Sequence, residues 1–230
     1  MRLVLFDIDG TMLWTDGAGR RAMEGALTDA FGTAGAPDYR YDGKTDMQIV
    51  RDLMANEGRS SDEIDAAMPA LLRGYLRRLE RELQSGKRVV HVYDGVVDLI
   101  DAVEAHDEMM LGLLTGNLRE GAALKLRAAG IDPDRFLVGA FGSDHHDRPE
   151  LPAIAQGRAR DVLGRDVGGD RVIVIGDTPA DIACGRAIGA RAIGVATGRY
   201  SVSDLAAHEP YAVFASLADT GAVLRAIVES

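Results

Sequence analysis

Cysteine, tryptophan and lysine are almost missing from this chain. Cys184 is the only cysteine in 230 residues. No internal disulfide can form, and a reducing compartment is expected. Lysine occurs only as Lys44, Lys87 and Lys125, so arginine supplies nearly all the positive charge. Positive charge is itself in deficit: 26 Lys and Arg stand against 36 Asp and Glu, a formal net charge of −10. That balance argues against general binding to nucleic acid or to an anionic membrane. The stretch ahead of Asp7 is too short for a signal-peptide apolar region or a membrane span, so a cytoplasmic location is expected. No internal repeat and no low-complexity tract is visible. The length suits one large domain or a core with a small insert, and it is sufficient to bury a core.

What the chain does have stands at its start. The apolar run Leu3-Val4-Leu5-Phe6 ends in Asp7-Ile8-Asp9-Gly10-Thr11. Residues i and i+2 of an extended segment point the same way, so Asp7 and Asp9 can converge. Two like charges that close repel and favour protonation of one of them, a conflict that a bound divalent cation removes. Oxygen ligands of this kind suit Mg²⁺. Two further apolar runs end similarly: 109–114 leads into Thr115-Gly116-Asn117, and 172–175 leads into Gly176-Asp177-Thr178-Pro179-Ala180-Asp181. Ligands of an open parallel sheet bind beyond the carboxyl ends of its strands, so three such ends predict one crevice.

Periodicity supplies the frame. Helical spacing is expected over 20–31, from Met47 to Met54, and from the capped start at Ser60 onward to 82, with a loop at 32–41. An extended, turn-terminated run is expected over 89–95. Beyond it the pattern alternates: helix 96–105, strand 109–114, helix 119–129, strand 136–141, helix 149–163, strand 172–175, helix 179–188, strand 192–196, a short strand 211–214, and helix 217–228. Alternation of this kind marks a parallel sheet with helices on both faces, an α/β Rossmann-like core. The stretch before it reads as an all-helical insert. The expected division is a core of residues 1–14 and 91–230 and a helical cap of residues 15–90.

DIDGT, LLTGN and GDTPAD, in that order, resemble motifs one, two and four of the haloacid dehalogenase superfamily, and the resemblance spans the whole chain. It implies a parallel-sheet core with a helical cap inserted between the first two motifs. It also implies Mg²⁺-dependent hydrolysis of a small phosphorylated metabolite through an aspartyl-phosphate, phosphoglycolate phosphatase-like. By the same resemblance, Asp7 is the nucleophile and Asp9 the general acid/base, with its backbone carbonyl the usual metal contact. Thr115, with Gly116, would bind phosphoryl oxygens and Asn117 would support their loop. Asp177 would hold the metal directly and Asp181 would stand behind it. Other activities of the superfamily remain open: a phosphomutase, a phosphonate hydrolase, or a dehalogenase, which does not use the second aspartate. A binding or regulatory protein on the same fold is a reading of another class. The chain is expected to act as a monomer or homodimer.

One element departs from the family pattern. A lysine normally precedes the helix before motif four, and no lysine follows Lys125. Arg148-Pro149 stands in the right region, although the usual spacing falls on Glu150, two residues later; Arg158 is a second alternative. Arginine is permanently charged and can bind phosphate bidentately, which lysine cannot. In the insert, Arg20, Arg21 and Lys44 are candidate substrate contacts, although for each taken singly a solvated surface charge is the more ordinary reading. Met47, Met54 and Met68 read as cap packing, Cys184 as core, His145 and His146 as loop residues, and Trp14 as either a pocket wall or a hinge staple.

Overall fold

The computed structural model describes residues 1–85 and 90–230. Lys87 and the Val89 start of the expected 89–95 run lie outside the described residues. In chain order the elements are β1 (Arg2–Phe6), β2 (Leu13–Trp14), α1 (Ala18–Phe31), α2 (Asp46–Asn56), α3 (Ser61–Gln84), β3 (His91–Val92), α4 (Val96–Glu104), β4 (Met109–Thr115), α5 (Arg119–Ala128), β5 (Val138–Phe141), α6 (Leu151–Leu163), β6 (Val172–Gly176), α7 (Pro179–Cys184), β7 (Arg191–Val195), α8 (Val202–Ala206), β8 (Ala212–Phe214) and α9 (Thr220–Glu229).

Six of these strands form one parallel sheet in the order β5-β4-β1-β6-β7-β8. The first strand therefore lies between the two strands that carry the other motifs, with Phe6 opposite Leu113 on one side and Ile175 on the other. The side-chain period of two explains why β1 is apolar throughout. Val4 and Phe6 pack on one face with Ile173, Ile175 and the helices α4 and α9. Leu3 and Leu5 pack on the opposite face with Val172, Val174 and α6. All four β1 side chains are fully buried, each contributing about 1.5–3 kcal/mol of hydrophobic stabilisation.

The helices α1, α2 and α3 enclose a separate apolar cluster of Met23, Leu27, Leu53, Met54, Met68 and Tyr75, which meets α5 at Leu118. Ser60 caps α3 with a reciprocal Glu63 box, as its sequence foretold. The chain enters and leaves this helical layer through a stem: β2 pairs antiparallel with β3, Leu13 against Val92 and Trp14 against His91. No helix of the described residues is long and apolar enough to cross a membrane.

Candidate active site

The end of β1 is locked before its side chains act. Asp7 donates its backbone N–H to the Ile175 carbonyl of β6 at 2.9 Å, continuing the ladder past the strand. The chain then turns sharply, with the Met12 and Leu13 N–H groups both donating to the Ile8 carbonyl. Gly10 takes a left-handed φ of 85°, and a Cβ there would fall 2.4 Å from Asp177 Oδ2. Only glycine meets both conditions. Buried Thr11 donates its hydroxyl to Asp177 Oδ1 at 3.0 Å, and Thr197, on the loop after β7, donates to the Gly10 carbonyl at 2.6 Å. The first and third motifs are thus joined by direct hydrogen bonds.

Three carboxylates meet there. Oxygens of Asp7, Asp177 and Asp181 all lie within 4.8 Å of one another, and the three residues are 6%, 4% and 1% exposed. Burial pushes the Asp7 carboxyl above its usual range; Arg148 pulls it back, and Asp181 and Asp9 push it further up. Asp177 is raised by burial first, then by the charges of Asp181 and Asp7. Asp181 serves two partners. Its Oδ2 accepts from the Thr178 N–H (2.9 Å) and hydroxyl (2.7 Å), completing the N-terminal box of α7, and its Oδ1 pairs with Arg148. The Arg148 guanidinium also reaches Asp7 Oδ1 at 3.3 Å. Burial opposes its charge, but Asp181 and Asp7 hold it firmly protonated. Arg148 therefore stands where the sequence pattern wanted a cation. Glu150 is exposed, and Arg158 is spent on Asp144 and the Gly139 carbonyl.

This donor set fits Mg²⁺. It is all oxygen, it is anionic, and its mutual repulsion leaves a place for positive charge. Asp7 and Asp177 would be the side-chain ligands, since both oxygens of Asp181 are already engaged. The Asp9 side chain stands apart from this group. Its Oδ2 accepts from Asn117 Nδ2 at 2.8 Å and from Lys125 Nζ at 2.6 Å. Asn117 also donates to Thr115 Oγ1 at 2.8 Å, so the second motif is tied to the first through the amide.

Lys125 escaped the sequence reading. It is 4% exposed on α5, and its ammonium also donates to Asn117 Oδ1 at 2.6 Å. A signal was present: Leu118, Ala122, Lys125 and Leu126 share one buried helical face, so a lysine occupies an apolar phase.

The helical layer roofs the site over a cavity of about 690 Å³. Asp46 bridges the two parts: its N–H donates to the Gly116 carbonyl at 2.8 Å, and its carboxylate accepts the Leu118 N–H at 2.8 Å. Gly116 is needed for this approach, because a Cβ there would lie 2.0 Å from the Lys44 carbonyl. Arg20 and Lys44 line the cavity, but their charges already have partners within the roof. Arg20 pairs with Glu24 and donates to the Pro37 and Tyr39 carbonyls; Lys44 binds Asp52 and the Tyr39 hydroxyl. Arg21, the third cation considered, pairs with Glu82. Trp14 lines the cavity from the stem and is 48% exposed.

A parallel α/β core with buried acids gathered at adjacent strand ends, under a helical roof, is a Rossmann-like fold with its site beyond the carboxyl ends of the strands. The family model of the haloacid dehalogenase-like hydrolases matches residues 4–186, and the chain belongs to that family. It is 29% identical to a phosphoglycolate phosphatase of Rhodospirillum rubrum, over 95% of this chain and 90% of that protein. It is 25% identical to glycerol-1-phosphate phosphohydrolase 2 of Saccharomyces cerevisiae, over 84% and 74%. Among solved structures, a hydrolase from Pseudomonas syringae superposes with a TM-score of 0.72 at 20% identity, each chain covered to 98%.

Proposed function

We propose that this protein is a Mg²⁺-dependent phosphatase acting on a small phosphorylated metabolite of the phosphoglycolate or glycerol phosphate kind. The observation that carries the reading is the division of labour among four aspartates. Asp7, Asp177 and Asp181 form a buried anionic cluster with one guanidinium, while the Asp9 carboxylate is held outside it on Lys125 and Asn117. A cluster of that kind suits nucleophile and metal, and a separate, half-buried carboxylate suits proton transfer.

The chemistry follows from those places. Mg²⁺, when bound by Asp7, Asp177 and the Asp9 backbone carbonyl, supplies neutralisation and orientation of the phosphoryl oxygens. The Asp7 carboxylate attacks phosphorus; the ester P–O bond breaks, and Asp9 gives its proton to the leaving oxygen. Water then attacks the aspartyl-phosphate, Asp9 takes its proton, and the bond from phosphorus to the Asp7 oxygen breaks. Thr115, Gly116 and Arg148 bind phosphoryl oxygens, and Asn117 holds their loop. The helices of residues 15–90 act as the cap that closes over the leaving group, with core residues 1–14 and 91–230 carrying the reaction. The single buried thiol, Cys184, suits the reducing cytoplasm.

Hydrolysis of p-nitrophenyl phosphate tests the reading. Turnover is expected with Mg²⁺, and removal of the metal by EDTA should abolish it. Loss of the nucleophile in Asp7→Asn should cost at least about 10³-fold in kcat. Wild-type silence, or Asp7→Asn activity equal to wild type, would reject the phosphatase. A panel of phosphorylated metabolites then ranks substrates.

A further inference from the structure

One buried cation has no part in the chemistry above except as a neighbour. Lys125 sits two turns into α5, 4% exposed, where an unpaired ammonium would be strongly disfavoured. Its two hydrogen-bond acceptors are Asp9 Oδ2 and Asn117 Oδ1, both at 2.6 Å. Asn117 in turn donates to the same Asp9 oxygen at 2.8 Å. Two donors therefore converge on Oδ2. Among the described residues Oδ1 accepts no hydrogen bond, and Asp9 lines the cavity, so one oxygen of Asp9 is anchored and the other is free of protein donors.

We propose that Lys125 is a positioning residue for Asp9, fixing Oδ2 so that Oδ1 is presented to the leaving-group oxygen. The inference rests on the reading of Asp9 as the acid/base, and it assigns that residue's orientation to a lysine from a helix outside the recognised motifs. The arrangement also senses the roof. A Cβ on Gly19 of α1 would lie 3.4 Å from Lys125 Nζ, and the Lys125 charge acts on the buried Asp46 carboxyl at the start of α2. The lysine on Asp9 thus lies against α1 and within electrostatic reach of the start of α2.

A merely structural lysine would support folding or roof docking and would affect all substrates alike. A lysine that aims the acid matters in proportion to the leaving group's need for a proton. The experiment compares kcat/KM, which reports steps through phosphoryl transfer to Asp7, for p-nitrophenyl phosphate and for the best alkyl phosphate of the panel. Nitrophenolate leaves without a proton, whereas an alkoxide does not.

In Lys125→Met the alkyl ester should lose about 10²-fold, the scale of general-acid catalysis, and the aryl ester about tenfold less than that. Lys125→Arg, which keeps a donor to Asp9, should recover part of the alkyl rate. Equal losses for the two esters, or an unchanged alkyl rate, would overturn the inference while leaving the phosphatase intact. A wild type inactive on both esters with Mg²⁺ would overturn both. Circular dichroism checks folding, and Lys125→Gln carries the same comparison if the methionine variant does not fold.

Discussion

Two buried acids share one guanidinium, and that sharing sets what Arg148 is worth. Asp7 and Asp181 both pair with it, and Asp177 lies in the same cluster. Removing one partner of a buried ion pair leaves charge uncompensated, which costs about 3–5 kcal/mol. Arg148→Met should therefore lose stability by that order in a urea melt without metal at pH 8, and lose phosphatase activity as well. Arg148→Lys should regain part of both, since the charge is kept but the planar guanidinium whose Nη2 reaches Asp7 and Asp181 is not. An Arg148→Met protein as stable and active as wild type would remove the residue from the site. At this scale the motifs were legible because each sits at the end of an apolar run: Asp7, Asp9, Thr115, Asn117, Asp177 and Asp181 all came from strand ends. Lys125 was hidden because its partner lies 116 residues away, and only its apolar helical phase betrayed it. The place of Arg20 and Lys44 beside the cavity was legible, but their internal pairing was not. Glu24 claims Arg20 from one turn further along the same helix, whereas Asp52 and the Tyr39 hydroxyl meet Lys44 only once α2 has formed and the loop ahead of it has folded beside it.

Between elements, Asp46 is the residue that joins helix α2 to the loop after β4. Burial pushes its carboxyl from the usual range up to about 6, with Lys125 and the Leu118 N–H pulling it down less strongly. A folded state that holds a proton more tightly than the unfolded chain gains stability at low pH. This contribution is complete below the unfolded value near 3.8 and is lost as pH rises through 6, a difference of about 3 kcal/mol. Asp46→Asn should therefore show a shallower decline of stability from pH 4 to 7 than wild type, read from urea midpoints across that range. An unchanged slope would mean that Asp46 does not titrate on unfolding. The long helices and the parallel strands were readable from periodicity, to within a few residues at each end. Three departures have local causes. The stem strands β2 and β3 are two residues each, too short for a period. The expected helix 179–188 is α-helical only to Cys184 and then tightens into a 3-10 turn, Gly185–Ile188, with Gly185 packed against Ala190. The five-residue α8 has its own capping box, Ser201 with Asp204, which escaped notice in a polar stretch.

Over the whole molecule, topology does what no single motif could. The strand order places β1 between β4 and β6, so acids that are 170 residues apart in the chain are separated by less than 5 Å in space. The alternating pattern implied such a sheet and the three strand ends one crevice, but the strand order that makes those ends adjacent comes from the structure. The insert leaves and re-enters the core through one antiparallel stem, which explains how an all-helical segment interrupts a parallel sheet without disturbing it. In an acidic chain of net charge −10, the buried cations Arg148 and Lys125 are gathered on the acids beyond the strand ends, Arg148 on Asp7 and Asp181 and Lys125 on Asp9. Phosphorylation of Asp7 is the step on which the proposed reaction turns. Acid quenching during turnover of p-nitrophenyl phosphate with Mg²⁺, followed by peptide mass spectrometry, tests it most directly. A hydroxylamine-labile phosphate is expected on the peptide holding Asp7, and none in Asp7→Asn. Steady turnover with no phosphate on the protein, or with phosphate on another residue, would contradict it.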